Sequence, residues 1–483
     1  MVRSCHLLHD EDAYQTLTQM AANSLLNAQE FRAGVVQMKS YPTGLRVTME
    51  NRCNIPDTGP ACVYCAWDFA KNMERGTPLF RLETLSEMGN FYRCATEVVD
   101  CSIGEPTMHK QFGAIMAKMH EGGKHVRMTT NGQLLVERRR REILGKHITL
   151  YVSIDAAHAE GYARYRNERF DDIIDNLRAL CEEKRQHNNL PIVFITFMPM
   201  KSNVDQLPQF LDLMRELGVD EVKLRNLNDE HDGTETTFSK SGYGFAYDSE
   251  KLSRRELAEL APVARRLAEE RGVTLYVEWE DFGKESAAEA GTQNEGELVI
   301  DPATPSATPT AKICMTEDPD ALLAAETPDV RAIAADPSAI DAVGSLPPDS
   351  NSAPSEAPSA NCSGAPLCSE PWNTMYALNR GIFPCCYGHK PIARWDERGE
   401  KSVEQFLGDV FHGAKFQELR SELAAGRMPN YCQNTQNCPV LHRLKRENPS
   451  ALGASQAGPA TPATSLPIVQ LDLLPTPMQC AVG

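Results

Sequence analysis

Between residues 45 and 279 the chain alternates short β-rich apolar runs with longer amphipathic segments, and this alternation limits the possible folds more than any other feature. The β-rich runs lie at 45–49, 97–103, 126–130, 148–154, 192–197 and 221–224. Between them, residues 170–183 place Ile173, Ile174, Leu177 and Leu180 at helical spacing, and residues 207–217 do the same with Leu207, Phe210, Leu211 and Leu217. Strands that alternate with helices pair in parallel through right-handed crossovers, which leaves a doubly wound sheet or a barrel. Six units favour an α/β fold built as a partial (β/α)6 TIM-like barrel over residues 41–284. Residues 1–40 form a helical leader, and a further helix at 252–271 leads to a strand at 273–279.

The pattern stops near residue 284. Residues 281–360 hold fifteen acids against three bases, a balance of −12 out of a total of −17, so the rest of the 483-residue chain carries only −5. From 285 to 361 the sequence is Ala, Pro, Ser, Thr and acid with no aromatic residue. Such a composition buries too little apolar surface to offset the cost of ordering the chain, so this stretch reads as a disordered insertion with weak helicity at 320–335. The tail, 449–483, reads the same way. Without clustered Lys and Arg to displace counterions, a large nucleic-acid footprint is excluded. No apolar run reaches eighteen residues and the first ten residues lack an apolar core, which argues against a membrane span or secretory signal and for a cytoplasmic protein.

Fifteen cysteines in a reducing compartment point to metal or catalysis rather than disulfides. Cys53, Cys62 and Cys65 follow the first predicted strand on a loop containing Pro56, Gly59 and Pro60. Three thiolates are one short of the four a structural zinc site recruits, whereas a 4Fe–4S cluster held by three keeps one iron open. Spacing alone leaves iron–sulfur, zinc and unligated thiols all possible.

Downstream, Gly104-Glu105-Pro106 closes the second predicted strand, Thr130-Asn131-Gly132 the third, and the fourth reads Val152-Ser153-Ile154-Asp155-Ala156 with Tyr165-Arg166 beyond it. In this order the chain resembles the radical S-adenosylmethionine (SAM) superfamily over residues 45–279. The resemblance implies that Cys53, Cys62 and Cys65 hold a 4Fe–4S cluster whose open iron is chelated by SAM. Tyr64 would pack near the adenine, Gly104 and Glu105 would meet the methionyl ammonium, and Ser153 and Arg166 would serve the carboxylate and ribose, with Asn131 in the same cofactor site. One departure stands out: the first cysteine gap is eight residues where the family has three, and lengthening a loop costs little closure entropy.

A second group comprises Cys368, Cys385, Cys386, Cys432 and Cys438, with Cys362 just before it. Cys368-Ser369-Glu370-Pro371-Trp372, a hairpin around Gly381 ending in Pro384-Cys385-Cys386, a helix over 403–425 and the late pair resemble the SPASM extension of radical SAM enzymes. Residues 362–448 would then be a small cysteine-rich α+β domain with one auxiliary iron–sulfur cluster, of 4Fe–4S type, on Cys368, Cys385, Cys432 and Cys438, where Cys386 can replace Cys385. Cys362 is a further possible ligand.

The expected activity is reductive cleavage of SAM and hydrogen abstraction from a small polar substrate, a sugar or amino-acid derivative, ending in dehydrogenation or epimerisation. A thiol left over from cluster binding, Cys386, is the candidate hydrogen donor. The resemblance also implies a low-potential electron donor, flavodoxin or ferredoxin. Maturation of a ribosomal peptide and a non-catalytic metal-binding scaffold are the alternatives.

Overall fold

The structure is a computed structural model that describes residues 11–55, 62–65, 80–227, 237–240, 243–280, 366–388, 390–433, 435, 438, 440–441 and 444–445. These residues belong to one compact unit. The acidic insertion, its expected helicity at 320–335, the tail and Cys362 lie outside them.

Seven parallel strands follow the predicted runs: β1 (Gly44–Val47), β2 (Glu97–Asp100), β3 (His125–Thr130), β4 (Ile148–Ser153), β5 (Ile192–Phe197), β6 (Glu221–Leu224) and β9 (Leu275–Val277). A separate antiparallel pair, β7 (Thr237–Lys240) and β8 (Tyr243–Ala246), lies between β6 and β9 in the chain. The hairpin of β10 (Thr374–Leu378) and β11 (Gly381–Phe383) then adds to the free side of β1, giving the order β11-β10-β1-β2-β3-β4-β5-β6-β9. β10 runs parallel to β1, and among the described residues of this nine-stranded sheet β11 alone is antiparallel to its neighbour. The result is the partial barrel expected of the sequence, widened on one side by the hairpin that carries the second cysteine group.

The helices are α1 (Glu11–Arg32), α2 (Leu82–Glu87), α3 (Phe112–Met119), α4 (Glu137–Ile143), α5 (Ala159–Tyr165), α6 (Phe170–Lys184), α7 (Leu207–Leu217), α8 (Arg254–Arg271), α9 (Val403–Phe411) and α10 (Ala414–Ala424). Strand alternation divides the sheet into two faces. Leu45, Val47, Val98, Val126, Met128, Leu150, Val152, Val193, Ile195 and Val222 are buried in one core with Phe112, Ile173, Leu177, Phe210, Leu211 and Leu260 from the helices. The intervening positions, Arg46, Glu97, Arg127, Tyr151, Ser153, Phe194 and Lys223, are only half-buried and form the inner face. No helix among the described residues is long and apolar enough to cross a membrane.

α1 is fastened by polar side chains as well as by packing. Asn23 and Asn27 donate to the Tyr41 carbonyl, Asn27 Nδ2 donates to the Trp372 carbonyl at 2.9 Å, and Glu30 accepts from the Lys39 and Ser40 amides. The leader is therefore committed to bracing the strand β1 approach and the segment before β10.

Candidate active site

The first cysteine group sits at the carboxyl end of β1, where parallel α/β sheets place their ligands. The Cys65 amide donates to the Cys62 carbonyl at 3.0 Å, a tight turn, and the Val63 amide donates to the Tyr165 carbonyl at 3.0 Å, pinning the loop to α5. Asn131, at the turn after β3, places Nδ2 3.9 Å from Cys53 Sγ and 2.8 Å from Asn54 Oδ1. Burial, with Cys62 adding to it, pushes the Cys53 thiol up to about 12. Such a thiol stays protonated until a metal binds and displaces the proton. Among the described residues no three Cys, His, Asp or Glu side chains are gathered around a point that could hold a single metal ion. The donor set, three thiols on one loop with amide nitrogens close by, suits a cluster with one open corner.

Gly104 has a steric explanation. A Cβ there would lie 2.4 Å from the Arg52 carbonyl oxygen and 2.6 Å from that of Glu50, so only glycine lets the end of β2 pass the cluster loop. The Glu105 amide then donates to the Arg52 carbonyl at 2.7 Å. The Glu105 side chain is buried, and both its oxygens accept hydrogen bonds: Oε2 from the Asn131 amide and Oε1 from Thr130 Oγ1, each at 2.7 Å, with Thr107 adding to Oε1. It ties the ends of β2 and β3 together, and burial lifts its carboxyl above the usual range.

Tyr64, Arg166 and Asp155, which the sequence showed in the fourth-strand motif without a role, form the opposite wall. Asp155 Oδ2 accepts from Arg166 Nε at 3.1 Å, Arg166 Nη2 at 2.6 Å and the Tyr64 hydroxyl. The Arg166 guanidinium lies over the Tyr64 ring at 5.4 Å. The Tyr64 ring also meets Phe245 of β8 at 5.9 Å. Phe238, Tyr243 and Phe245 around Ser241-Gly242 are a hairpin signal in the sequence that interrupts the βα rhythm. Ser153 ends β4 in register with Thr196, half-buried on the inner face.

The second cysteine group converges. Cys368, Cys385, Cys386, Cys432 and Cys438 line one cavity of about 350 Å³, walled by Leu367, Leu419, Leu423 and Met428. Burial raises the thiols of Cys368 and Cys432 to about 12, and each is influenced by a neighbouring thiol. The two adjacent cysteines differ. Burial comes first for both; Cys385 is then raised by Cys386, Cys432 and Cys368, whereas Cys386 is raised by Glu370 and Cys438 and is hydrogen-bonded with Tyr376 of β10.

The sequence model of the Radical SAM superfamily matches residues 51–214, the segment that contains the first cysteine group. Residues 51–214 are a radical SAM domain. A radical SAM domain works with a 4Fe–4S cluster and SAM, and its members are enzymes that need a reductant. A probable GTP 3',8-cyclase of Metallosphaera sedula is 27% identical over 229 residues, 45% of this chain and 63% of that protein. The mouse S-adenosyl-L-methionine-dependent tRNA 4-demethylwyosine synthase TYW1 is 26% identical over 144 residues, 29% of this chain and 18% of that protein. The chain thus spans less than two thirds of the length of these curated relatives. Among solved structures, Streptococcus suis SuiB bound to the precursor peptide SuiA aligns with a TM-score of 0.47 at 13% identity, covering 87% of this chain and 74% of that one.

Proposed function

We propose that this radical SAM domain binds its cluster through Cys53, Cys62 and Cys65 and abstracts hydrogen from a small polar substrate held on the inner face of the barrel, with dehydrogenation or epimerisation as the outcome. The observation that carries the substrate class is the chemistry of that face. A (β/α) barrel interior is ordinarily filled by branched apolar side chains. Here Arg46 Nη1 lies 2.7 Å from Glu97 Oε2, Glu97 accepts from Arg127 Nη1 at 3.1 Å, and Arg127 Nη2 donates to the Tyr151 hydroxyl at 3.3 Å. Lys223 continues the row, 4.5 Å above the Tyr276 ring and 5.8 Å from that of Tyr151. Charged and hydroxyl groups held half-buried suit a ligand with several polar groups, because each would otherwise lose water without a partner. The Metallosphaera sedula relative, a probable GTP 3',8-cyclase by name, acts on a small polar molecule, which supports this reading.

When bound, the cluster and SAM supply a 5′-deoxyadenosyl radical, the hydrogen-abstracting agent. The chain's own residues orient and enclose. Gly104 admits the loop, Glu105 and Asn131 fix the β2 and β3 ends behind Cys53, and the inner-face row orients the substrate. Cys368, Cys385, Cys432 and Cys438 hold one auxiliary 4Fe–4S cluster, and Cys386, turned to Tyr376, is a thiol able to return hydrogen to a substrate radical. A flavodoxin or ferredoxin provides the electron. The test is anaerobic reconstitution followed by dithionite and SAM: the wild type should release 5′-deoxyadenosine and Cys53→Ala should not. Equal release from both would sink the assignment.

A further inference from the structure

Arg166 is placed to act on the cluster. Two of its three nitrogens, Nε and Nη2, are committed to Asp155 Oδ2, and the third, Nη1, lies 4.0 Å from Cys62 Sγ, within reach of an N–H to sulfur contact. The side chain is 8% exposed and that of Asp155 1%, and the guanidinium sits between the rings of Tyr64 and Tyr162 at 5.4 and 6.0 Å. Asp155 is itself immobilised. Its Oδ1 accepts from the Met198 amide at 2.9 Å, and its carbonyl accepts from Asn203 Nδ2 at 3.0 Å. Burial opposes the Arg166 charge, but Tyr64, Asp155 and Cys62 outweigh it and hold the guanidinium above its ordinary range.

We propose that Arg166 is a hydrogen-bond donor to the Cys62 thiolate of the cluster, with Asp155 as the positioning residue that aims it. The inference rests on Cys62 being a cluster ligand. A cationic N–H donor on a ligand sulfur stabilises the more negative, reduced cluster and so raises its reduction potential. Tyr64 is part of the same device, since its hydroxyl locks the cluster loop to Asp155.

The experiment titrates the reconstituted holoenzyme by EPR, following without SAM the signal that responds when SAM is later added. Arg166→Met should shift that cluster's midpoint to more negative potential while iron and sulfide content stay at wild-type values. Arg166→Lys, which keeps a charge for Asp155 but cannot span to the sulfur, should shift it likewise. If Arg166→Met does not fold, the double variant Asp155→Leu/Arg166→Met leaves no uncompensated buried charge and should show the same shift. Asp155→Asn should move the midpoint in the same direction by less. A midpoint unchanged in Arg166→Met would overturn the proposal. A wild type that assembles no SAM-responsive cluster would instead overturn the cluster reading on which it stands.

Discussion

Val47 of β1 and Ala377 of β10 are register partners in neighbouring parallel strands, although the acidic insertion separates them in the chain. The second cysteine group is thereby built onto the barrel sheet. Trp372, fully buried just before β10, donates through Nε1 to the Val35 carbonyl at 2.8 Å and reinforces the join. Cutting the chain once at a protease site inserted between residues 310 and 350 should therefore leave both fragments co-eluting on gel filtration, separating only in denaturant. Fragments that part in native buffer would disprove the pairing.

Arg420 should be the most sensitive position on α10. Its side chain is fully buried and donates to the carbonyls of Pro371 at 3.0 Å, Phe411 at 2.9 Å and Val36 at 3.3 Å, with its guanidinium 4.3 Å from the Phe411 ring. One side chain thus satisfies backbone groups from three separate segments. Arg420→Met keeps the volume but leaves those carbonyls without donors, an expected loss of about 3 kcal/mol or more in urea unfolding. Arg420→Lys, unable to reach all three, should lose about half as much. A change below about 0.5 kcal/mol, the size of an ordinary surface substitution, would refute this role.

The barrel strands were legible because period-two and helical patterns are local properties of the chain. The pattern overran where a side chain ends an element. The run 97–103 stops as a strand at Asp100, because Ser102 Oγ takes the Met49 and Glu50 amides. The helix read over 403–425 is two, since the backbone at Gly413 turns so tightly that a Cβ would lie 2.3 Å from the Asp409 carbonyl oxygen. The pairing of β1 with β10 was invisible, because register across a long insertion leaves no local trace. Motif residues could be named, but not their partners. Glu105 and Arg166 look like ligand-facing charges until Thr130, Asn131 and Asp155 are seen to engage them.

Iron content should separate the two adjacent cysteines. After burial, the Cys385 thiol is raised by Cys386, Cys432 and Cys368, and that of Cys386 by Glu370 and Cys438 beside a hydrogen bond with Tyr376. Wild type should carry roughly eight irons as two 4Fe–4S clusters, and Cys385→Ala roughly four. Cys386→Ala should keep the full count. If the two losses are interchanged, Cys386 is the ligand and the free thiol is Cys385.

Asp100 should make stability fall with pH. Its Oδ1 accepts from the Met49 amide at 3.0 Å and Ser102 Oγ at 2.6 Å, while Oδ2 is buried without a hydrogen-bond partner. Burial raises the carboxyl from 3.8 to about 7. Below about pH 4 both folded and unfolded chains hold the proton. Between about 4 and 7 only the folded chain does, so this stabilisation is lost as pH rises and is gone above about 7. At about 1.4 kcal/mol per pKa unit the loss is on the order of 4 kcal/mol. Asp100→Asn mimics the protonated form and cannot ionise. In urea unfolding of the metal-free protein, its stability relative to wild type should climb from pH 4 to 7 and then level off. A difference that stays flat across that window would show that Asp100 is ionised in the folded protein throughout.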